Sequence, residues 1–145
     1  MTLLQSNRET AYALLRITLG TIFLTTGLVK FSMGISNFAG GLEQQFAGKL
    51  PQPIVAVFAH LLPFVEVTVG ALLLLGLFNL ITLVVTWLLL IVLTFGKVVE
   101  NDAATVAHNL IYVLIAFVLL WFTEYNRYSL DFVRQRSSQR RQDSR

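Results

Sequence analysis

The residues of this sequence best suited to pairing charges, binding ligands or moving protons are Arg16, Lys30, His60, Glu66, Lys97, Glu100, His108, Asn109 and Tyr112. All lie within or at the borders of long apolar stretches. Glu66 is the most demanding, because a carboxylate in the middle of such a stretch must be neutral or paired with a cation. Arg16, on the preceding stretch, has a side chain long enough to reach toward the same depth. The sequence therefore predicts an Arg16–Glu66 ion pair. In its plainer reading that pair only fixes the register of two helices. In its functional reading Glu66 and His60 are the candidate catalytic pair and handle protons, since ionisable groups at such positions mark functional sites. Lys30, His108, Asn109 and Tyr112 are the candidate substrate-binding residues. With His60, Lys97 and Glu100 they bring a polar group from every apolar stretch toward one end, which suits a pocket for a polar-headed amphiphile. The plainer alternative has Lys30 and Lys97 snorkelling to headgroups and leaves Glu100, Asp102 and His108 as ordinary loop-border residues.

The elements that must position these groups are apolar helices. Hydrophobic residues make up 55% of the 145, the mean hydropathy is +0.68, and the apolar residues come in blocks long enough to cross a bilayer. Four spans are expected, over 11–33, 54–77, 80–98 and 106–122, and the runs are too continuous for barrel strands. The fold class is all-α, an integral membrane four-helix bundle. The tight turn at Gly76–Asn79 makes spans two and three antiparallel neighbours. Between spans one and two, Ile35, Phe38, Leu42 and Phe46 recur at helical spacing and predict a short amphipathic helix on the membrane surface, stopped by Pro51 and Pro53. On the first span, Arg16, Gly20, Gly27, Lys30 and Gly34 fall close to one face, and the glycines admit another helix.

Charge sets the expected orientation. Arg8, Arg127, Arg134, Arg136, Arg140, Arg141 and Arg145 share one side, while the other side offers Lys49 with Lys30 and Lys97 at its borders. Both termini are thus expected in the cytoplasm. Residues 1–10 form the N-terminal segment, 11–132 the transmembrane domain and 133–145 a basic disordered tail against anionic headgroups. The first span is long, charged and lacks a small-residue cleavage site, so it is read as a mature helix rather than a signal peptide. A pI near 9.6 does not indicate nucleic acid, because the basic residues cluster beside apolar spans. The absence of cysteine excludes disulfides, thiolate metal sites and thiol redox chemistry. No metal site is expected, since His60 and His108 lack any second-shell pattern for haem or metal. Phosphate-loop, dinucleotide, metalloprotease and hydrolase-elbow motifs are also missing. Trp87, Trp121, Tyr125 and Tyr128 read as packing or interfacial anchors.

Four motifs in order resemble the DoxX family. They are Leu15–Arg16 with Gly20, Phe23, Leu24, Gly27 and Lys30; the Leu-Pro-x-Pro run at Leu50–Pro53; Glu66 with Gly70 and Gly76; and the run from Arg127 to Asp131. The resemblance implies a four-helix inner-membrane bundle beside oxidoreductases, one branch of that family being a subunit of a thiosulfate:quinone oxidoreductase. Only Arg16, Lys30 and Glu66 carry over as motif positions.

Three functions follow as expectations. In the first, the protein is an oxidoreductase-associated subunit that binds quinone as its non-covalent cofactor. Lys30 and His108 contact the carbonyls, and a partner redox enzyme or a soluble donor supplies electrons. In the second, it is a non-enzymatic membrane adaptor recruiting a soluble redox enzyme. In the third, it is a small proton-coupled carrier or lipid-binding protein, which at this size calls for a homo-oligomer.

Overall fold

The computed structural model describes residues 3–134 and 136. Five helices follow in order: α1 (Leu3–Ser32), α2 (Ile35–Gln45), α3 (Gln52–Leu75), α4 (Asn79–Val99) and α5 (Ala103–Trp121), with a 3-10 turn at Thr123–Tyr125. Four helical segments, Ser6–Ser32, Gln52–Leu75, Asn79–Val99 and Ala103–Trp121, are long and apolar enough to cross a membrane. The protein is an all-α membrane bundle, with α2 as the short helix between the first two spans.

Local chemistry sets the boundaries. Gly34 (φ 85°) separates α1 from α2, and Pro51 precedes α3 with Pro53 in its first turn. At the far end of α3, Gly76 adopts φ 65°, so that Leu77 N–H bonds Leu72 O at 3.1 Å and Gly76 N–H bonds Leu73 O at 3.3 Å. This closure satisfies carbonyls that the helix leaves open and turns the chain sharply into α4. One boundary differs from expectation: α1 is helical from Leu3, well before the start expected at Ala11. The segment 3–10 contains no breaker, and hydropathy marks only the part of a helix that meets lipid. Residues 130–134 are also helical. The rest of the tail over which disorder was expected, Arg136 apart, lies outside the described residues.

The tightest pairing is between α1 and α3, which run antiparallel. A Cβ on Gly20 would sit 3.0 Å from Leu73 Cβ, and one on Gly27 would sit 2.9 Å from Val67 N. One on Gly70 would strike the Leu24 backbone. The two backbones touch because these positions lack side chains. Gly20 thus lies opposite Leu73, and Gly27 opposite Glu66 and Val67. α4 pairs with α5, and α2 lies on α3. Leu19, Phe23, Leu62, Leu73, Leu83, Leu90, Ala116 and Leu119 form the buried centre. Leu110, Leu114, Phe117 and Trp121 of α5 face outward, as suits a helix bordered by lipid.

A polar clasp closes the end that carries both termini. Arg16, 1% exposed, donates from Nη1 to Leu73 O and from Nη2 to Tyr128 O, each at 2.7 Å. It thereby caps the C-terminal turn of α3, where a cation complements the helix dipole, and ties the segment after α5 to it. Asn79 donates to Tyr12 OH at 2.8 Å. Asp131 Oδ2 accepts from Asn79 N–H at 2.9 Å and caps α4. Buried Glu9 lies 3.1 Å from Arg127 Nε.

Candidate functional site

At the opposite end, the five helices surround a cavity of about 390 Å³. α1 contributes Phe23, Thr26 and Lys30; α2 contributes Phe38, Leu42 and Gln45; α3 contributes Leu62 and Glu66. α4 adds Leu90, Leu93 and Lys97, and α5 adds Thr105, Asn109 and Tyr112. The centre of the site is an ion pair in which Lys30 Nζ donates to Glu66 Oε2 at 2.6 Å. The carboxylate side chain is 4% exposed and the lysine 19%. Lys30 Nζ also lies 5.5 Å from the Phe38 ring centroid, so α2 places an aromatic face over the cation.

A second polar cluster borders the same cavity at the turn from α4 to α5. Lys97 Nζ is 2.6 Å from Glu100 Oε2 and 3.9 Å from Asp102 Oδ2. Asp102 precedes α5 and accepts from Thr105 Oγ1 at 2.6 Å and Thr105 N–H at 3.1 Å. These bonds, with Lys97 nearby, hold its carboxyl below the usual carboxylate range. Among the described residues, no group of three or more His, Asp or Glu comes together as a metal site would require.

Arg16 is not the partner of Glu66. Gly27 lies opposite Glu66 in the α1–α3 register. Lys30 is three residues from that point and Arg16 eleven, or about 16 Å along the helix. The guanidinium is spent instead on the carbonyls of Leu73 and Tyr128. The residue types gave Glu66 a choice of cation, and the glycine contacts decided it.

The cavity brings together Lys30, Glu66, Asn109 and Tyr112 but not the histidines. His60 is exposed, with Nδ1 2.8 Å from Ala56 O, one turn earlier on α3. His108 is exposed on α5, beside cavity-lining Asn109 but turned away. Adjacent helix positions differ by about 100°, so depth alone does not bring a side chain to a site. Lys97 was singled out in the sequence as a site residue, whereas Phe38, Gln45, Thr26 and Thr105 were not. The available signal was the apolar stripe of α2, whose Phe38 and Leu42 line the cavity.

A family model described as methylamine utilisation protein MauE matches residues 8–102, more than half of the chain. The chain belongs to the MauE family. This corrects the DoxX resemblance, and the reason lies in what the shared-looking motifs do. Gly20, Gly27 and Gly70 let two helices touch, and Arg16 caps a helix; a membrane bundle of any family can meet those needs with the same residues. The MauE match runs from Arg8 in α1 through α4 and ends at Asp102, just before α5, so Lys30, Glu66 and Lys97 lie within it, and Asn109 and Tyr112 beyond it. No curated protein and no solved structure matches the chain. As a MauE-family member with four membrane-crossing helices, it is a multi-pass membrane protein.

Proposed function

We propose that this chain is the membrane component of a redox-linked system, and that its cavity takes the polar head of a quinone-type amphiphile from the bilayer. The observation carrying this reading is the buried Lys30–Glu66 pair on the wall of a cavity that is otherwise mainly apolar. The cavity is suited to such a molecule in two respects. Phe23, Leu62, Leu90 and Leu93 supply apolar contact for a ring. Lys30, Asn109 and Tyr112 offer N–H and O–H donors of the kind a carbonyl accepts. A quinone supplies two-electron, two-proton redox chemistry when bound.

The residues themselves bind and hold protons. Lys30 shares a proton with Glu66, and the cavity's apolar walls keep water from competing for that bond. A ligand oxygen accepting from Lys30 would loosen its hold on Glu66. Binding would then be coupled to the charge state of the carboxylate. The family's printed description, methylamine utilisation, supports a redox setting. With no cysteine, the chain cannot itself exchange disulfides; in this reading a partner redox enzyme or a soluble donor supplies the electrons. The arginines at the terminal end favour cytoplasmic termini and an inner-membrane location.

The test is binding of a short-tailed benzoquinone to the purified protein in detergent, wild type beside Glu66→Gln and Lys30→Ala. Saturable binding, lost in a variant that still folds, is the expected result. Absence of binding in folded wild type removes the quinone reading and favours the adaptor. One observation already leans that way: Arg16, another charge within a membrane-crossing segment, ties α1 to the end of α3 and to the segment after α5.

A further inference from the structure

The end of the bundle carrying both termini holds a second cavity, about 360 Å³, between α1 and the end of α5. It is separate from the Lys30–Glu66 site, and nothing said of that site depends on it. The two helices run antiparallel here, so Arg8 and Tyr125 stand at its head, while Leu15 and Val118 lie deeper. Seven residues of helix separate Arg8 from Leu15, about 10 Å of depth toward the bilayer centre. Leu119 and Phe122 complete an apolar wall. The groove therefore has a cationic head and an apolar body aligned with the membrane normal, the arrangement of a phospholipid.

Among the described residues, no carboxylate lines the groove at its head. Arg8 is exposed and donates from Nη1 to Tyr125 OH at 3.0 Å, which engages one of the five N–H donors a guanidinium carries. Its neighbour Glu9 is 1% exposed and turned to Arg127 at 3.1 Å. Glu124 is exposed but does not line the groove. We propose that this groove is a site for one anionic phospholipid, with its phosphate on Arg8 and the Tyr125 hydroxyl and one acyl chain along Leu15 and Val118. A net negative headgroup fits better than a zwitterionic one, whose ammonium would stand beside the guanidinium.

The experiment uses the full chain in nanodiscs of phosphatidylcholine with increasing phosphatidylglycerol. It reads the thermal midpoint together with lipid retained in native mass spectrometry. Wild type is expected to show a saturating rise and one preferentially retained phosphatidylglycerol. Arg8→Gln should weaken that retention about tenfold. Val118→Trp, which fills the groove and keeps Arg8, should abolish it. Arg136→Gln, whose arginine stacks on Phe132 at 4.6 Å and is outside the groove, should retain it. An equal loss in Arg8→Gln and Arg136→Gln would mean diffuse surface attraction and overturn the site. So would retention in Val118→Trp. A wild-type dimer that Val118→Trp dissociates in light scattering would make a second copy the occupant and overturn the lipid.

Discussion

Lys30 and Glu66 meet at 2.6 Å although Lys30 does not lie opposite Glu66 on the neighbouring helix. The position facing Glu66 is Gly27, and Lys30, one turn farther along α1, reaches back across the gap. The missing side chain at residue 27 lets the helices touch, and the lysine three residues on occupies the space beside the carboxylate.

Removing one member of this pair should be worse than removing both. Lys30→Met leaves a 4% exposed carboxylate without its cation, and breaking a buried pair in this way typically costs about 3–5 kcal/mol. Lys30→Met with Glu66→Gln removes both charges at similar volume and should recover most of that loss. Thermal unfolding of the two single variants and the double variant in detergent gives the coupling directly. Additive losses would mean that the pair contributes little to holding α1 on α3.

Arg16 should be intolerant of lysine. Its two terminal nitrogens bridge carbonyls of different segments, Leu73 and Tyr128, each at 2.7 Å. An ammonium is a point charge without the planar fork. Arg16→Lys is expected to lose about 1.5–3 kcal/mol, the worth of a hydrogen bond to a charged group. The segment 126–134 should then be cut sooner in limited proteolysis. Unchanged cleavage would show that Asp131 and Arg127 hold the segment without it.

The spans were legible because bilayer thickness imposes a length that apolar blocks reveal without any knowledge of packing. The short helix at Ile35–Gln45 was legible from the recurrence of Ile35, Phe38 and Leu42. Which cation meets Glu66 was not, because that depends on how far α1 slides along α3. The slide is set by backbone contacts at Gly20, Gly27 and Gly70. The sequence marks those glycines as an interface but does not phase them against each other. His60 and His108 were misplaced for a related reason: their depth follows from counting residues, but their azimuth follows from which neighbours each helix finds.

Two glycine substitutions separate packing from propensity. A Cβ on Gly70 would collide with the Leu24 backbone, which cannot rotate away as a side chain can. Gly70→Ala should therefore force α1 from α3, with a loss of about 3 kcal/mol or failure to fold. Gly40, within α2, has nothing within 4 Å of its Cβ position. Gly40→Ala should stabilise α2 by about 0.5–1 kcal/mol through helix propensity alone. Thermal midpoints of the two variants should move in opposite directions, and a drop for both would place an unseen contact on α2.

Below about pH 4, acid should act on the start of α5 through Asp102. Its carboxyl is held below the usual range by the Thr105 hydroxyl, the Thr105 N–H and Lys97. A carboxyl depressed in the folded state contributes stability that is present above its unfolded pKa, about 3.9. That stability disappears as pH falls from there through the lower folded value. Between neutral pH and about 4, Asp102 should thus give no slope in the thermal midpoint. Below that, wild type should lose a component that Asp102→Asn lacks, since asparagine still accepts from the helix N-terminus but does not titrate. The loss should accompany fraying of the first turn of α5, read by amide exchange at Thr105 and Val106. Parallel acid curves for wild type and Asp102→Asn would show that Asp102 does not carry this loss.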